Sequence, residues 1–501
     1  MHRYTSDCSR RHLVARRRFD SSKLFHSKAR LVYLKQFHEG KPIYSNLNGC
    51  VEDGWDWDRK PDFIPKMPII LTGHGVPWEL GNIYLLDLLD TSSFTQMESI
   101  QDRAKSLCFY LKFIEDENLD LLEFPVQARR RPTYLFRYKL QELIDLGMAP
   151  STASKHIGHV ISFYRGLLTQ NLIDESRIGR RPFRTFKKSV QTLGSLGLSR
   201  FKEVRTTDIS VRVVRSEPRL DRIIDGGELR PLSVEEQKAI MWGVEQKYCS
   251  IETELIMLIM LNTGARIQSA CTLRVGHVKD AYRELIQTGK NWVFIHSHRS
   301  RFPIDTKFGK HNDFRFPKFL IEKLYIYINS EVHIKRMNSS FFGLSDENYV
   351  CLTEQSNSFY TSRSEIRKRQ NGKYHQEENT RDLSIQNGNT LRANVRNFIK
   401  RVKKEKPILQ DFSPHDLRAT YGMNIVRLLA NDLDKRFTTV HMELAVKAAL
   451  NHNDIATSRL YVNFDEKLVN FNSINEMYER FVLDGYQTLE AIYGEDNLDG
   501  I

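Results

Sequence analysis

The sequence predicts a mainly α-helical chain with a small β-hairpin or sheet, an α+β fold spread over at least two domains. Three observations predict it. The chain has 501 residues, too many for one ordinary domain. Apolar residues recur at three- and four-residue steps in two separate spans, about 81–175 and about 231–465. One stretch alone, near 292–316, reads as a strand pair, with short apolar runs around a glycine-containing turn.

In chain order, residues 1–80 show little periodicity and read as an irregular extension. Helices follow. Ile100, Ala104, Leu107, Leu111 and Ile114 form one stripe, and Ile157, Val160, Ile161, Tyr164, Leu167 and Leu168 form another. Ser151 and Thr152 are N-cap candidates for the second. A bundle of about four helices fits 81–175. Residues 176–230 read as a basic linker, since Arg177 to Lys202 contains no Asp or Glu. A new domain opens with Ser233 and Glu236, spaced as a capping box before an apolar run. It extends to about 465, with a polar insertion near 356–389, and a helical tail fills 466–501.

Composition bounds the function. Lys and Arg number 75 against 62 Asp and Glu, a net charge of +13 that favours a polyanionic partner, nucleic acid first and an acidic membrane second. The apolar run Leu255 to Leu261 is too short to span a bilayer. Six cysteines lie scattered with no C-x-x-C pair, which fits buried small residues in a reducing compartment and no zinc ribbon or disulfide framework. The N-terminus is basic but lacks the apolar run of a signal peptide, so it reads as a solvated arm or a transit segment.

Four stretches carry chemistry. In "LNTGARIQSACTLRV" an apolar helix ends at Thr263-Gly264 and Arg266 opens the next helix, against the macrodipole preference, as suits a site that expects an anion. In "FPIDTKFGKHNDFRFP" Lys307 precedes a hairpin turn and Lys310 follows it. In "SPHDLRATYG" Ser413-Pro414 starts a helix whose first turn carries His415 and Arg418 on one face. In "LNHNDIATSRLYVNF" a helix ends near His452, and Tyr461 follows nine positions later. Each stretch alone is equally read as ordinary: a surface arginine, a solvated lysine, a capped surface helix, a core tyrosine.

In this order and at these spacings, the four stretches resemble the catalytic domain of the tyrosine recombinases, the phage integrase family, across Leu232 to Phe464. The family's first box, T-G-L/M-R-x-x-E, reads "TGARIQS" here; its H-x-L-R box reads "HDLR"; its L-G-H box reads "LNH". Three positions depart. Ala265 replaces a larger apolar residue, Ser269 stands where an acidic residue usually supports the first arginine, and Asn451 replaces glycine. The preceding helices resemble the family's core-binding domain, which clamps the opposite face of DNA.

The resemblance implies a site-specific recombinase or integrase of a mobile element. It implies that Tyr461 attacks a DNA phosphodiester and becomes a 3′-phosphotyrosine, on a segment that presents it rather than in the core. Arg266 and Arg418 would hold the non-bridging oxygens through paired bonds. Lys307, with Lys310 as the alternative, would protonate the leaving 5′-oxygen. His415 would accept the tyrosine proton and His452 would hydrogen-bond the phosphate. The scheme calls for no metal and no nucleotide cofactor. Its partners would be double-stranded DNA, three further copies in a tetramer and accessory proteins, with no membrane. Its place would be the cytoplasm of a bacterium, on the nucleoid when DNA-bound. Two other classes remain: a type IB topoisomerase, against which His415 argues because lysine is usual there, and a non-catalytic DNA-binding protein on the same scaffold.

Overall fold

The computed structural model describes residues 24–37, 41–42, 55–56, 64–91, 97–173, 180–193, 199–211, 221–298, 301–370, 385–431 and 436–465. The fold is mostly helical with small antiparallel two-stranded sheets, as the sequence predicts. The chain divides into two compact units, one formed mainly by Met1–Arg215 and one mainly by Ser216–Ile501.

The first unit is built on four helices, Glu79–Thr91, Met97–Asp116, Pro132–Asp145 and Pro150–Thr169. The predicted stripes face inward: Ala104, Leu107, Ile157, Val160 and Leu167 are buried in one core. That core also holds a polar pair, with the Tyr110 and Tyr164 hydroxyls 2.8 Å apart and Tyr164 donating to the Leu121 carbonyl at 2.9 Å. Three expectations are corrected. The last helix starts from Ala149 with Pro150 in its first turn, so Ser151 and Thr152 lie inside it and do not cap it. Part of the supposed irregular extension is ordered: Arg30–Phe37 pairs with Ile64–Leu71, and Met67, Ile70 and Trp78 enter the core. Part of the supposed linker is a hairpin of Thr185–Leu193 against Ser199–Thr207.

The second unit centres on the helix Ile251–Thr263, buried on every side from Leu255 to Met260. A helix whose middle, Leu255 to Leu261, is apolar on every face needs protein around it rather than water. The helix Pro414–Ala430 packs along it and against Thr439–Leu450. The predicted capping box holds: Ser233 accepts from the Glu236 amide at 3.1 Å, and Glu236 accepts from the Ser233 amide at 2.9 Å. The predicted strand pair is Trp292–His296 against Asp313–Pro317, with Phe294 opposite Arg315. Its strands lie further apart in sequence than the turn around Lys307 implied, so both lysines sit in the long connection between them.

The polar insertion is also corrected in its first half. Ser358, Phe359, Thr361, Ser362 and Glu365 are buried, and Arg363–Gln370 is helical. Residues 371–384 and the tail 466–501 lie outside the described residues. Among the described residues, Cys108, Cys271 and Cys351 are buried as expected, while Cys249 is only half-buried. No described helix is long and apolar enough to cross a membrane.

Candidate active site

The site grows from two helix ends and one helix start. The helix Ile251–Thr263 stops at Gly264, whose backbone is left-handed at φ 65°. A Cβ there would lie 2.6 Å from Tyr421 and 2.8 Å from Leu450, so only glycine gives both the turn and the close approach. The reversal sets Arg266 at the N-cap of Ile267–Cys271, half-buried.

The helix Pro414–Ala430 starts where predicted. Asp416 closes its cap by accepting from the Ser413 amide at 2.7 Å and the Ser413 hydroxyl at 3.0 Å. The same carboxylate accepts the Arg230 amide at 2.8 Å, and Thr420 accepts the Leu232 amide at 2.9 Å. These bonds lash the segment before residue 233 to the helix.

One turn on, Arg418 is 1% exposed. Its Nη1 donates to the Gly264 carbonyl and its Nη2 to the Leu450 carbonyl at 2.6 Å, so it locks together the ends of two helices. Both carbonyls are acceptors that helix ends leave unpaired. The expectation of a paired grip on a ligand is therefore corrected for Arg418. The atom that remains is Nε, which has no hydrogen-bond partner and lies 3.5 Å from the Asp225 Oδ2.

The helix Thr439–Leu450 ends on Asn451, left-handed at φ 50° and ψ 52°. Asparagine is the residue that tolerates this region best after glycine. Its side chain adds a bond, donating to the His311 carbonyl at 2.6 Å. His452 follows, buried, with Nδ1 at 3.0 Å from the Ser458 hydroxyl and Nε2 at 3.1 Å from the Asp225 Oδ2. Tyr461 lies in the helix 455–465. Its ring is core, packed with Met423, Val446 and Leu450, and a Cβ on Gly422 would come within 2.7 Å of it. Its hydroxyl donates to the Asp225 Oδ2 at 3.1 Å. The expectation that the tyrosine stands apart from the core is corrected: the ring is buried and the hydroxyl alone faces the polar site.

Asp225 is the residue the sequence reading missed. It lies in the span read as a linker, at the turn of a hairpin of Ile223–Ile224 against Glu228–Leu229. Gly226 there has φ 70°. The D-G-G triplet is a hairpin signal, and it was available. What the sequence does not carry is the pairing of this carboxylate with groups 227 and 236 positions away.

The lysines separate. Lys307 begins a short turn, exposed, and a Cβ on Gly226 would lie 3.9 Å from its Nζ, so the ammonium stands beside the Asp225 turn. Lys310 donates to the Asn453 side chain at 2.5 Å, on the far side of His452 in sequence. Ser269 does not face Arg266. It donates to the Asp305 carbonyl at 2.8 Å, while Thr272 accepts the Asp305 amide at 3.0 Å. The serine thus pins the backbone that leads into Lys307.

The electrostatics follow the burial. Desolvation pushes the Tyr461 phenol well above its ordinary value, and the Asp225 charge pushes it further against the pull of Arg418 and Arg266. Burial also works to raise Asp225, but the His452 hydrogen bond and the Arg418 and Arg266 charges outweigh it and hold the carboxyl well below the usual carboxylate range. Burial, then the charges of Arg418 and Arg266, lower His415 to about 4. Burial and Arg266 lower Arg418 to about 10, so it stays charged at neutral pH. All six residues singled out in the sequence thus belong to one neighbourhood of contacts and charge, with Asp225 at its centre.

No protein-family model and no curated protein matches the chain. Among solved structures it is similar to the XerH site-specific recombinase bound to difH substrate in a pre-cleavage complex. The identity is 14%, the match covers 78% of this chain and 88% of that one, and the TM-score is 0.42.

Proposed function

We propose that this chain is a site-specific DNA recombinase that cuts and rejoins DNA through a 3′-phosphotyrosine at Tyr461. One observation carries the reading. A tyrosine hydroxyl, a histidine nitrogen and a buried arginine Nε converge on a single anionic oxygen, at 3.1, 3.1 and 3.5 Å. A pocket built to hold an anion against a tyrosine hydroxyl suits attack by that tyrosine on a phosphodiester.

In this scheme the scissile phosphate takes its hydrogen bonds from Arg418 Nε, His452 Nε2 and Arg266. Tyr461 Oη attacks phosphorus, a P–O bond to tyrosine forms, and the P–O5′ bond breaks. His415, neutral at pH 7 because burial holds it near 4, accepts the phenol proton. Lys307, beside the Asp225 turn, gives a proton to the departing 5′-oxygen. The 5′-hydroxyl of a second strand then attacks the phosphotyrosine and frees Tyr461. Bond energy is conserved in the intermediate, so neither nucleotide nor metal enters the balance. The partner is duplex DNA at specific sites, and the excess of basic residues supports phosphate contact. Origin in a mobile element, a tetramer on two duplexes and a cytoplasmic location belong to the same proposal.

The test is a nicked duplex made from DNA bordering the gene, incubated with protein in EDTA and resolved in SDS. The native chain is expected to form a covalent adduct and Tyr461→Phe to form none. An adduct that persists in the variant overturns the assignment of the nucleophile. Tight binding with no adduct from either protein overturns the catalytic reading in favour of a binding protein.

A further inference from the structure

Three of the groups that the proposed reaction turns on its phosphate already face an anion in the structure. Tyr461 Oη, His452 Nε2 and Arg418 Nε all address one oxygen of Asp225, which is 6% exposed. A carboxylate and a phosphodiester offer the same thing to such donors, a pair of anionic oxygens. Both cannot be held at once. Two like charges a few ångströms apart in a buried site repel strongly, and each donor hydrogen serves one acceptor. We propose that Asp225 sits in the phosphate seat of the DNA-free protein and is displaced from it when the scissile phosphate binds.

The turn that carries Asp225 is suited to leaving. Its strands are two residues each, and two glycines follow the aspartate. Gly226 is left-handed and Asp225 donates its amide to the Gly227 carbonyl at 3.0 Å, a bond inside the turn. Ile223 and Leu229 anchor the base of the hairpin among Ala419, Met423 and Tyr461. The tip can therefore change its path while its foot stays packed. Lys307 Nζ lies next to Gly226, so withdrawal of the tip also clears the ground between that ammonium and an incoming phosphate. Until then the Tyr461 proton is engaged by Asp225, and the phenol is unavailable as a nucleophile. The inference rests on the reading of this pocket as a phosphate site, and the first arm of its test needs no DNA.

The test uses the full chain and inorganic phosphate, read by thermal unfolding. Asp225→Asn keeps the shape of the side chain and removes its charge. Saturating phosphate is expected to raise its Tm by about 2–4 °C more than that of the native chain. Adding Arg266→Gln to Asp225→Asn is expected to remove the difference. An equal rise in the native chain, no rise in Asp225→Asn, or a rise that survives Arg266→Gln would each overturn the inference. If Asp225→Asn fails to fold in plain buffer, because Arg418 has lost its counter-charge, phosphate is expected to restore a cooperative transition, and absence of rescue overturns the inference. A second arm uses the nicked DNA. Asp225→Asn is expected to form adduct at least roughly threefold faster than the native chain, because no anion has to be expelled. Slower adduct formation would mean that Asp225 positions Tyr461 and His452 for the reaction and would overturn the inference. Success with phosphate and failure of all adducts would overturn the recombinase reading while leaving the seat occupied by Asp225.

Discussion

The second unit contains two buried clusters of nearly the same composition, and they are put together differently. One is Arg274, Tyr349, Ser362 and Glu365; the other is Arg418, Tyr461, His452 and Asp225. In the first, the donors are spread over several oxygens of the scaffold: a carbonyl, serine hydroxyls and a carboxylate. Arg274 donates to the Glu347 carbonyl at 3.0 Å and to the Ser362 and Ser364 hydroxyls at 2.5 and 3.1 Å. Its guanidinium carbon lies 4.0 Å from the centre of the Tyr349 ring. The Tyr349 hydroxyl donates to the Glu365 carboxylate, lies 2.9 Å from the Ser362 hydroxyl and accepts the Ser362 amide at 2.9 Å. In the second cluster a phenol, an imidazole and one guanidinium nitrogen face a single oxygen, carried by a glycine-rich turn. A distributed network fixes a fold. A convergent one makes a place where an anion goes.

The tyrosines give the largest expected contrast. Tyr461→Phe should abolish adduct formation while the ring keeps its packing and the loss of stability stays near 1 kcal/mol. Tyr349→Phe should do the reverse, costing about 1–3 kcal/mol because Ser362 and Glu365 lose a buried partner. Its adduct yield per folded molecule should match the native chain. Denaturant melts and the adduct gel, run on both variants, check this. Equal behaviour of the two tyrosines would erase the distinction.

The arginines come next. Arg418→Gln should lower the rate of adduct formation roughly 10²–10³-fold, the usual effect of losing one donor to a transition-state oxygen. It should also destabilise the unit, since Asp225 is left without its charge partner. Arg274→Lys should cost stability through lost stacking and lost bonds, with single-turnover rate unchanged.

Gly422→Ala tests whether the ring position matters apart from the chemistry. The added methyl would stand 2.7 Å from the Tyr461 ring and 2.8 Å from Leu450. Overpacking of this kind costs about 1–3 kcal/mol, and the phenol should be displaced from its acceptor. Adduct formation should fall more than stability does, as measured by rate per folded molecule.

The pH dependence is gentler. Burial, foremost, and the charges of Arg418 and Arg266 lower His415 from 6.5 to about 4. Between those values the unfolded chain takes up a proton that the folded site refuses. Stability is therefore full above pH 6.5 and declines as pH falls toward about 4. Asp225, held low, adds loss in the same direction in stronger acid, as it is protonated. His277, lowered to about 4 chiefly by burial, contributes over the same window from outside the site. Because His415 keeps part of its surface in water, His415→Gln should flatten the profile by less than the roughly 1.4 kcal/mol per pH unit of a full one-proton difference. Melts between pH 4 and 7 measure it.

These contrasts also mark what could be read from sequence. The helix starts at Ser233 and Ser413, the stop at Thr263-Gly264 and the order of the site residues were legible because each has a local signature in caps, glycines or spacing. The Arg274 cluster was not. Its serines and Glu365 lie in a stretch whose polarity reads as solvated insertion, and only the fold shows that their partners are inside. Asp225 was not legible for a related reason. Its turn is visible in the sequence, but its meaning depends on residues more than two hundred positions away. The early strands escaped because Arg30–Phe37 and Ile64–Leu71 pair without a tight turn between them.

The most direct measurement is the site of the DNA attachment. The native chain would be trapped on a nicked duplex in EDTA, digested with trypsin, and the nucleotide-bearing peptide sequenced by mass spectrometry. Cleavage after Arg459 and Lys467 releases the peptide LYVNFDEK. A 3′-phosphonucleotide is expected on the tyrosine of that peptide, Tyr461. Attachment to any other residue, or a nucleotide joined through its 5′-phosphate, would contradict it.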